Sequence, residues 1–282
     1  MNRSKLYIFF LLLHFMGTAA AQKTQIIFRG DDMGFSHSCN LACVDAYDKG
    51  LVRTVEVMAT GAWFEEAVQM LKDRPGLDVG VHLALTSEWA NLKWRPLTAA
   101  PSLVDENGHF FPMIWPNDNY PKAALLNQSW DIKEVEAEFR AQIELVKRRI
   151  PQTSHITGHM GCSNISEEVK VMVGRLAKEY DLDIVPMEMG FERMPKWQGS
   201  QYDEQQKIER LLQTLEELPP GKYLSVTHPV YFTPETEAVH HIGYTNVGAE
   251  RDAETKALIS EKVQEAIGKA GIEIIGYSDI GQ

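Results

Sequence analysis

Short apolar runs alternate with amphipathic segments along most of this chain. The apolar runs predict strands at Gln25–Phe28, Thr54–Met58, Asp78–Leu85, Ser154–Ile156, Asp183–Pro186, Tyr223–Thr227 and Ile272–Ile275. Segments with a period near 3.6 residues predict helices at Ser38–Asp48, Phe64–Leu71, Glu134–Ile150, Glu167–Tyr180, Gln205–Leu218 and Glu250–Ala270. Residues 94–121 show no clear period and predict a long loop, of the kind that forms a lid or a binding surface.

Strands that alternate with helices predict a parallel sheet, and the short apolar strands indicate burial on both faces. We therefore predict an α/β fold, a distorted or incomplete (β/α) TIM-like barrel that forms a single catalytic domain over residues 22–282. An open doubly wound sheet fits the alternation as well. No G-x-G-x-x-G or phosphate-loop motif follows a strand, so nucleotide binding has no support in the sequence.

The first 21 residues are typical of a secretory signal peptide. Arg3 and Lys5 supply the positive start, Leu6–Met16 is apolar apart from one histidine, and three alanines precede Gln22. The alternative, a membrane anchor, needs roughly 20 apolar residues, and this run is too short. We expect an exported protein, periplasmic or extracellular, that keeps no stable membrane insertion after cleavage.

Composition and charge narrow the function classes. The chain has 282 residues, 44% of them hydrophobic and 24% charged, which is an ordinary globular composition. Its formal net charge is −11, and −13 once Arg3 and Lys5 are removed, which argues against a nucleic-acid partner. Three cysteines are too few for a disulfide framework and are expected as small buried side chains.

Ionisable residues lie at or near the ends of four predicted strands. They are Asp31 and Asp32 after the first, His82 in the third, His159 after the Ser154 strand, and His228 after the Tyr223 strand. The carboxyl ends of the strands converge on one face of a barrel. Each residue alone has an ordinary structural alternative, such as a helix cap or a satisfied core histidine. Their shared position is what indicates a site.

This residue set suits one chemistry in particular. A carboxylate and two neutral imidazoles form a metal site with open positions, suited to catalytic Zn²⁺ or another divalent ion. A second carboxylate beside it stays available as a base. Arg29 lies two residues before Asp31, so a continuing strand puts both on one face, as an ion pair or as a group that tunes the carboxylate.

Five segments, in order along the chain, resemble the YdjC-like carbohydrate deacetylases, relatives of the chitooligosaccharide deacetylases. Gly30–Gly34 reads GDDMG where that family has ADDFG, and Gly80–Thr86 reads GVHLALT where it has GLHLNLT. Ser154–Gly161 reads SHITGHMG and is similar to THLDSHMG. A late His228-Pro229 and a terminal GIEIIGY, similar to GIELISY, complete the set, which spans Gln25 to Asp279.

The resemblance implies a distorted barrel of fewer than eight units and hydrolysis of an acetyl group, N-acetyl by expectation, from an amino-sugar-containing oligo- or polysaccharide. By motif position, Asp32, His82 and His159 are expected to hold one divalent metal ion. Asp31 is then the expected general base and His228 the expected general acid. Mg²⁺ is usual in the family, whereas two imidazoles suit Zn²⁺ better, so both ions are expected candidates.

Other features leave alternatives open. Thr157 stands where the family has Asp, and loss of a carboxylate that orients a ligand histidine costs roughly 10–100-fold in metal affinity. A secreted carbohydrate-binding protein with lost or altered catalysis is therefore the alternative function, and a phosphoesterase is a third. Trp89 and Trp94 are candidates for stacking on a sugar, although aromatic residues fill cores more often. An oligomer is compatible with the sequence.

Overall fold

Seven parallel strands form the centre of the part of the chain that the structure describes. The computed structural model describes residues 23–199 and 203–280. Its strands are β1 (Gln25–Met33), β2 (Val52–Val57), β3 (Asp78–Leu83), β4 (Thr153–Gly158), β5 (Glu192–Arg193), β6 (Lys222–Thr227) and β7 (Glu273–Ile274). They lie in the order β4-β3-β2-β1-β6-β5, and β7 pairs with the start of β1.

Helices surround this curled sheet. They are α1 (His37–Asp48), α2 (Phe64–Lys72), α3 (Ile132–Arg149), α4 (Glu167–Glu179), α5 (Glu204–Glu217), α6 (Pro234–Glu237), α7 (Val247–Leu258) and α8 (Glu261–Ala270). The result is a half-barrel in a single α/β domain, which confirms the predicted fold class. The predicted signal peptide, residues 1–21, lies outside the described residues.

Two predicted elements differ from the structure. The strand predicted over Asp183–Pro186 is reduced to one antiparallel bridge between His155 and Asp183, and a 3₁₀ turn at Pro186–Met189 follows. The helix predicted over Glu250–Ala270 begins earlier and breaks near Ser260, which is the N-cap of α8. Periodicity misses this break because α7 contains few large apolar side chains and many of its buried positions are polar or alanine, so its sequence has little apolar period from which an end could be predicted.

The core lies on both faces of the sheet, as the apolar strands predict. All six residues of β3 are buried, as are all but the first of β1. Helix α3 buries the stripe that its period predicts, formed by Val135, Phe139, Ile143 and Val146. The three cysteines are free thiols, and each is fully buried, as expected.

The long loop over residues 94–121 is ordered against helix α3. Glu138, buried in α3, accepts hydrogen bonds from the backbone N–H groups of Leu97 at 3.0 Å and Thr98 at 2.9 Å. An antiparallel bridge between Val104 and Phe110 closes the loop on itself. The loop is therefore anchored at its base. Within the described ranges, no helix has both the length and the apolarity needed to cross a membrane.

Candidate metal centre

A bulge at the end of β1 brings two adjacent carboxylates to one place. The pairing of β1 with β2 shifts register between Gly30 and Met33, and Asp32 has a φ of 70°, which is unusual for a residue other than glycine. Neighbours in a regular strand point to opposite faces. Here Asp31 Oδ2 and Asp32 Oδ1 lie 3.8 and 3.4 Å from His82 Nε2.

Asp32, His82 and His159 meet around one point. One ligand atom from each lies within 4.8 Å of the others, and all three side chains are buried. Asp32 Oδ1 is 3.0 Å from His159 Nδ1, but it has no hydrogen-bond partner among the described residues. A buried carboxylate oxygen without a partner is costly. Two imidazole nitrogens and this oxygen therefore fit a divalent cation.

In each imidazole, the ring nitrogen that points away from Asp32 has a partner that orients the ring. His159 Nε2 is 3.1 Å from Glu88 Oε2, which leaves Nδ1 to face Asp32. His82 Nδ1 is 2.8 Å from Thr157 Oγ1, which leaves Nε2 to face Asp32. Metal-binding histidines usually carry such a partner, which fixes the ring and its tautomer.

The charges of the cluster follow from its partners. Burial opposes ionisation of Asp32, but His159, His82 and Arg251 together hold its pKa well below the usual range. Burial also opposes protonation of His159, yet the carboxylates of Glu88 and Asp32 raise its pKa to about 10. Positive charge is therefore favoured at this point, and a divalent cation supplies it as well as a proton does.

Asp31 is held separately from Asp32. Arg29 donates from Nε to Asp31 Oδ1 at 2.6 Å and from Nη2 to Oδ2 at 2.8 Å. Arg29 and Asp31 share a face of β1, as predicted, and form an ion pair. This fork geometry fixes the carboxylate in one orientation beside His82. Asp31 is thus available next to the three ligand atoms without being one of them.

His228 follows β6 and borders a cavity of about 710 Å³. Arg251, Glu254 and Tyr244 also line this cavity, whereas the three predicted ligands do not. Burial, with Arg251 nearby, lowers the pKa of His228 to about 4, so its ring is neutral at pH 7. Burial raises the pKa of Glu254 to about 7.

Trp89 and Trp94 are packing residues in this structure. Their exposures are 2% and 5%, so neither ring face is available to a sugar. Trp89 stacks on His241 with ring centroids 5.5 Å apart, and the guanidinium of Arg251 lies 5.3 Å from the centre of the Trp89 ring. Trp94 donates its indole N–H to the carbonyl of Thr86 at 2.6 Å. Trp94 also packs edge to face against His159, with ring centroids 6.4 Å apart.

Sequence reasoning missed three residues that support this centre: Arg251, Glu88 and Glu56. Arg251 donates to Asp32 Oδ2 at 2.9 Å from helix α7, and no local motif marks it. Glu88 lies six residues after His82 on the same segment. Glu56 is a lone carboxylate inside the apolar strand β2, which is a signal that the sequence does contain.

Comparison with known proteins gives one family match. The family model described as "YdjC-like protein" matches residues 25–269 of this chain. Carbohydrate deacetylase 2 of Listeria innocua serovar 6a is 26% identical over 262 residues, which cover 91% of this chain and 98% of the relative. A carbohydrate deacetylase of Clostridium beijerinckii is 27% identical over 274 residues, covering 91% of this chain and 100% of the relative.

A solved structure among those similar to this chain supports the fold. It comes from Enterococcus faecalis V583 and is provisionally named a cellobiose-phosphate cleavage protein. It superposes with a TM-score of 0.72 at 23% identity, covering 92% of this chain and 100% of that chain. At this level of identity the likeness concerns the half-barrel and not the chemistry.

Proposed function

The chain belongs to the YdjC-like protein family, and from that membership we propose that it is a metal-dependent carbohydrate deacetylase. The observation that carries the proposal is the meeting of Asp32, His82 and His159 around Asp32 Oδ1, a buried oxygen with no hydrogen-bond partner in the described part of the chain. Relatives named carbohydrate deacetylase support an acetylated carbohydrate as substrate. We take the acetyl group to be N-linked on an amino sugar, removed from an oligo- or polysaccharide.

Asp32, His82 and His159 would hold one divalent ion. Two imidazoles favour Zn²⁺, and Mg²⁺ is the second candidate. A divalent ion at this position supplies Lewis-acid polarisation of the acetyl carbonyl and of the attacking water. The residues around it do the rest: Glu88 and Thr157 hold the two rings, and Arg251 holds the second oxygen of Asp32.

Asp31 serves as the general base in this proposal. It takes a proton from the water as the oxygen attacks the acetyl carbon, and Arg29 keeps the carboxylate pointed at that position. The carbon–nitrogen bond then breaks, and the leaving amine needs a proton. His228 stands on the cavity side and is assigned to deliver it.

The neutral ring of His228 constrains this last step. With a pKa of about 4, the imidazole holds no spare proton at rest, so the proton that Asp31 takes from the attacking water is the one that reaches the leaving amine through His228. In the resting protein Asp31 and Asp32 already raise the pKa of the ring, but burial and Arg251 outweigh them; negative charge that develops on the acetyl oxygen raises it further. The neutral resting state is thus compatible with a donor role during turnover.

Acetate release from N-acetylated oligosaccharides tests the proposal. We expect the protein, stripped by a chelator, to be inactive and to recover when Zn²⁺ or Mg²⁺ is added. Asp31→Asn removes the base and is expected to lower kcat by roughly 10²–10⁴-fold. Asp118→Asn, at an exposed aspartate, is the matched control and should retain full activity.

Two results would contradict this function. One is activity that a chelator leaves unchanged, and the other is full activity of Asp31→Asn. Sugar binding without any release of acetate would instead support the alternative of a carbohydrate-binding protein.

A further inference from the structure

Glu56 occupies the centre of a buried polar chain behind the metal centre. It lies on β2 with no exposed surface. Thr157 donates its hydroxyl hydrogen to Glu56 Oε2, and His155 Nε2 lies 2.6 Å from Glu56 Oε1. Arg29 Nε is 3.9 Å from the same Oε1. Burial opposes ionisation of Glu56, but His155 and Arg29 lower its pKa below the ordinary value.

The direction of these hydrogen bonds decides the state of His82. A carboxylate only accepts, so the single hydroxyl hydrogen of Thr157 goes to Glu56. The oxygen of Thr157 must then accept from His82 Nδ1, 2.8 Å away. His82 therefore carries a hydrogen on Nδ1, and the neutral tautomer with this hydrogen has its lone pair on Nε2. That lone pair faces Asp32 Oδ1 at 3.4 Å, where a cation would lie.

We propose that Glu56, acting through the hydroxyl of Thr157, is the positioning residue that fixes the orientation and tautomer of His82 for metal binding. The inference rests on the proposed metal site. It assigns to β2 a carboxylate that the sequence lacks at position 157, and it explains why threonine there is compatible with a functional centre. The ring of His159 is oriented by a carboxylate directly, because its Nε2 contacts Glu88 without a hydroxyl between them.

Gly80 of strand β3 leaves the space in which Glu56 contacts His155 and Thr157. A Cβ placed on Gly80 of β3 would lie 2.1 Å from Glu56 Oε2 and 2.5 Å from His155 Nε2. Any larger residue at position 80 would therefore displace the carboxylate. The side chain of Glu56 passes under β3 only because that residue is glycine.

Zinc affinity of Thr157→Val tests the proposal directly. Valine keeps the shape and removes the hydroxyl, so His82 Nδ1 and Glu56 both lose their partner. We expect Zn²⁺ to bind roughly 10–100-fold more weakly, measured by competition with a chromophoric chelator on the metal-free protein. Thr157→Ser restores the hydroxyl and should recover the affinity. Glu56→Gln, which weakens the acceptor, should also bind Zn²⁺ more weakly.

Thr54→Val is the matched control. Thr54 is a buried threonine of β2 whose hydroxyl has no hydrogen-bond partner among the described residues, so its loss should leave zinc affinity unchanged. Equal affinities for Thr157→Val and the parent would overturn the proposal. So would equal weakening in Thr157→Val and Thr54→Val, because that result indicates a general packing effect.

The ring state of His82 is measured independently of metal and of activity. Nitrogen-15 NMR of the metal-free parent should show His82 protonated at Nδ1, and a ring protonated at Nε2 alone would overturn the proposal even if Thr157→Val fails to fold. The proposed function fails in a different way. A parent that binds Zn²⁺ with this histidine state but releases no acetate contradicts the deacetylase and leaves Glu56 in its role.

Discussion

Asp31 and Asp32 are chemically identical neighbours, and their partners separate them. Arg29 takes both oxygens of Asp31, whereas Arg251 takes only one oxygen of Asp32. The remaining oxygen of Asp32 faces the two histidines. The sequence contains the pair and predicts different roles for its members. Residue chemistry alone cannot show which carboxylate has which role, and only the family resemblance assigns them, because the Arg251 that distinguishes them comes from a helix 219 residues away.

At the residue scale, the role of His228 is tested by changing the leaving group. His228→Ala should slow release of acetate from an N-acetylated sugar by roughly 10²–10⁴-fold, because the amine leaves only when protonated. Hydrolysis of nitrophenyl acetate releases nitrophenolate, which leaves as a stable anion and needs no acid. The rate with this ester should therefore fall much less. Rates of acetate release from both substrates, at saturating metal and above pH 5, measure the difference.

A surface histidine provides the comparison for that experiment. His240 is exposed, and His240→Ala should behave like the parent with both substrates. Equal losses on the amide and the ester in His228→Ala would assign the residue to the shape of the cavity and remove it from the chemistry.

At the scale of elements, periodicity predicts where most strands and helices lie but not where a segment breaks or loses its pairing. Most strands and helices lie within a few residues of their predicted bounds, because burial of one face or both leaves a period in the sequence. The bridge at Asp183 and the break near Ser260 leave no such mark. They depend on which neighbour each segment meets.

Replacing either of two glycines by alanine should change the free energy of unfolding, in opposite directions. Gly80→Ala in β3 forces a Cβ against Glu56 and His155, and it should lower the free energy of unfolding by about 1–3 kcal/mol. Gly174→Ala in helix α4 meets nothing within 4 Å and should raise it by about 0.5–1 kcal/mol, since glycine is a poor helix former. Urea unfolding measures both.

These two variants also separate strain from chemistry. Gly80→Ala should weaken zinc binding as well, whereas Gly174→Ala should leave it unchanged. A Gly80→Ala protein as stable as the parent would mean that the strands move apart without cost, which contradicts the tight packing around Glu56.

At the scale of the whole molecule, the half-barrel determines where the site can lie. Parallel strands bring the ends of β1, β3, β4 and β6 to the same edge, and each of these ends carries or precedes one of the predicted residues. The fold class and this shared edge could therefore be predicted from the order of elements. The residues that contact the site from behind this edge, such as Arg251 and Glu88, could not be predicted in this way.

Export is the prediction that concerns the whole chain. Expressed in full in a bacterial host with a secretion system, the protein should appear outside the cytoplasm with Gln22 as its first residue, because residues 1–21 carry the signal pattern. Cell fractionation and N-terminal sequencing measure this. Full-length protein that starts at Met1 and stays in the membrane would support the anchor instead, and cytoplasmic protein would exclude both.

What the sequence determined by itself is local and periodic: the alternation of strands and helices, the apolar core stripes and the motif positions of Asp31, Asp32, His82, His159 and His228. These follow from burial and from residue chemistry, which act at fixed spacing along the chain. The tertiary structure alone decided the bulge at Asp32, the pairing of Arg251 with it, the burial of Trp89 and the line from Glu56 through Thr157 to His82. Such contacts join strands and helices that are distant in the chain, and their energies depend on geometry that no local pattern records.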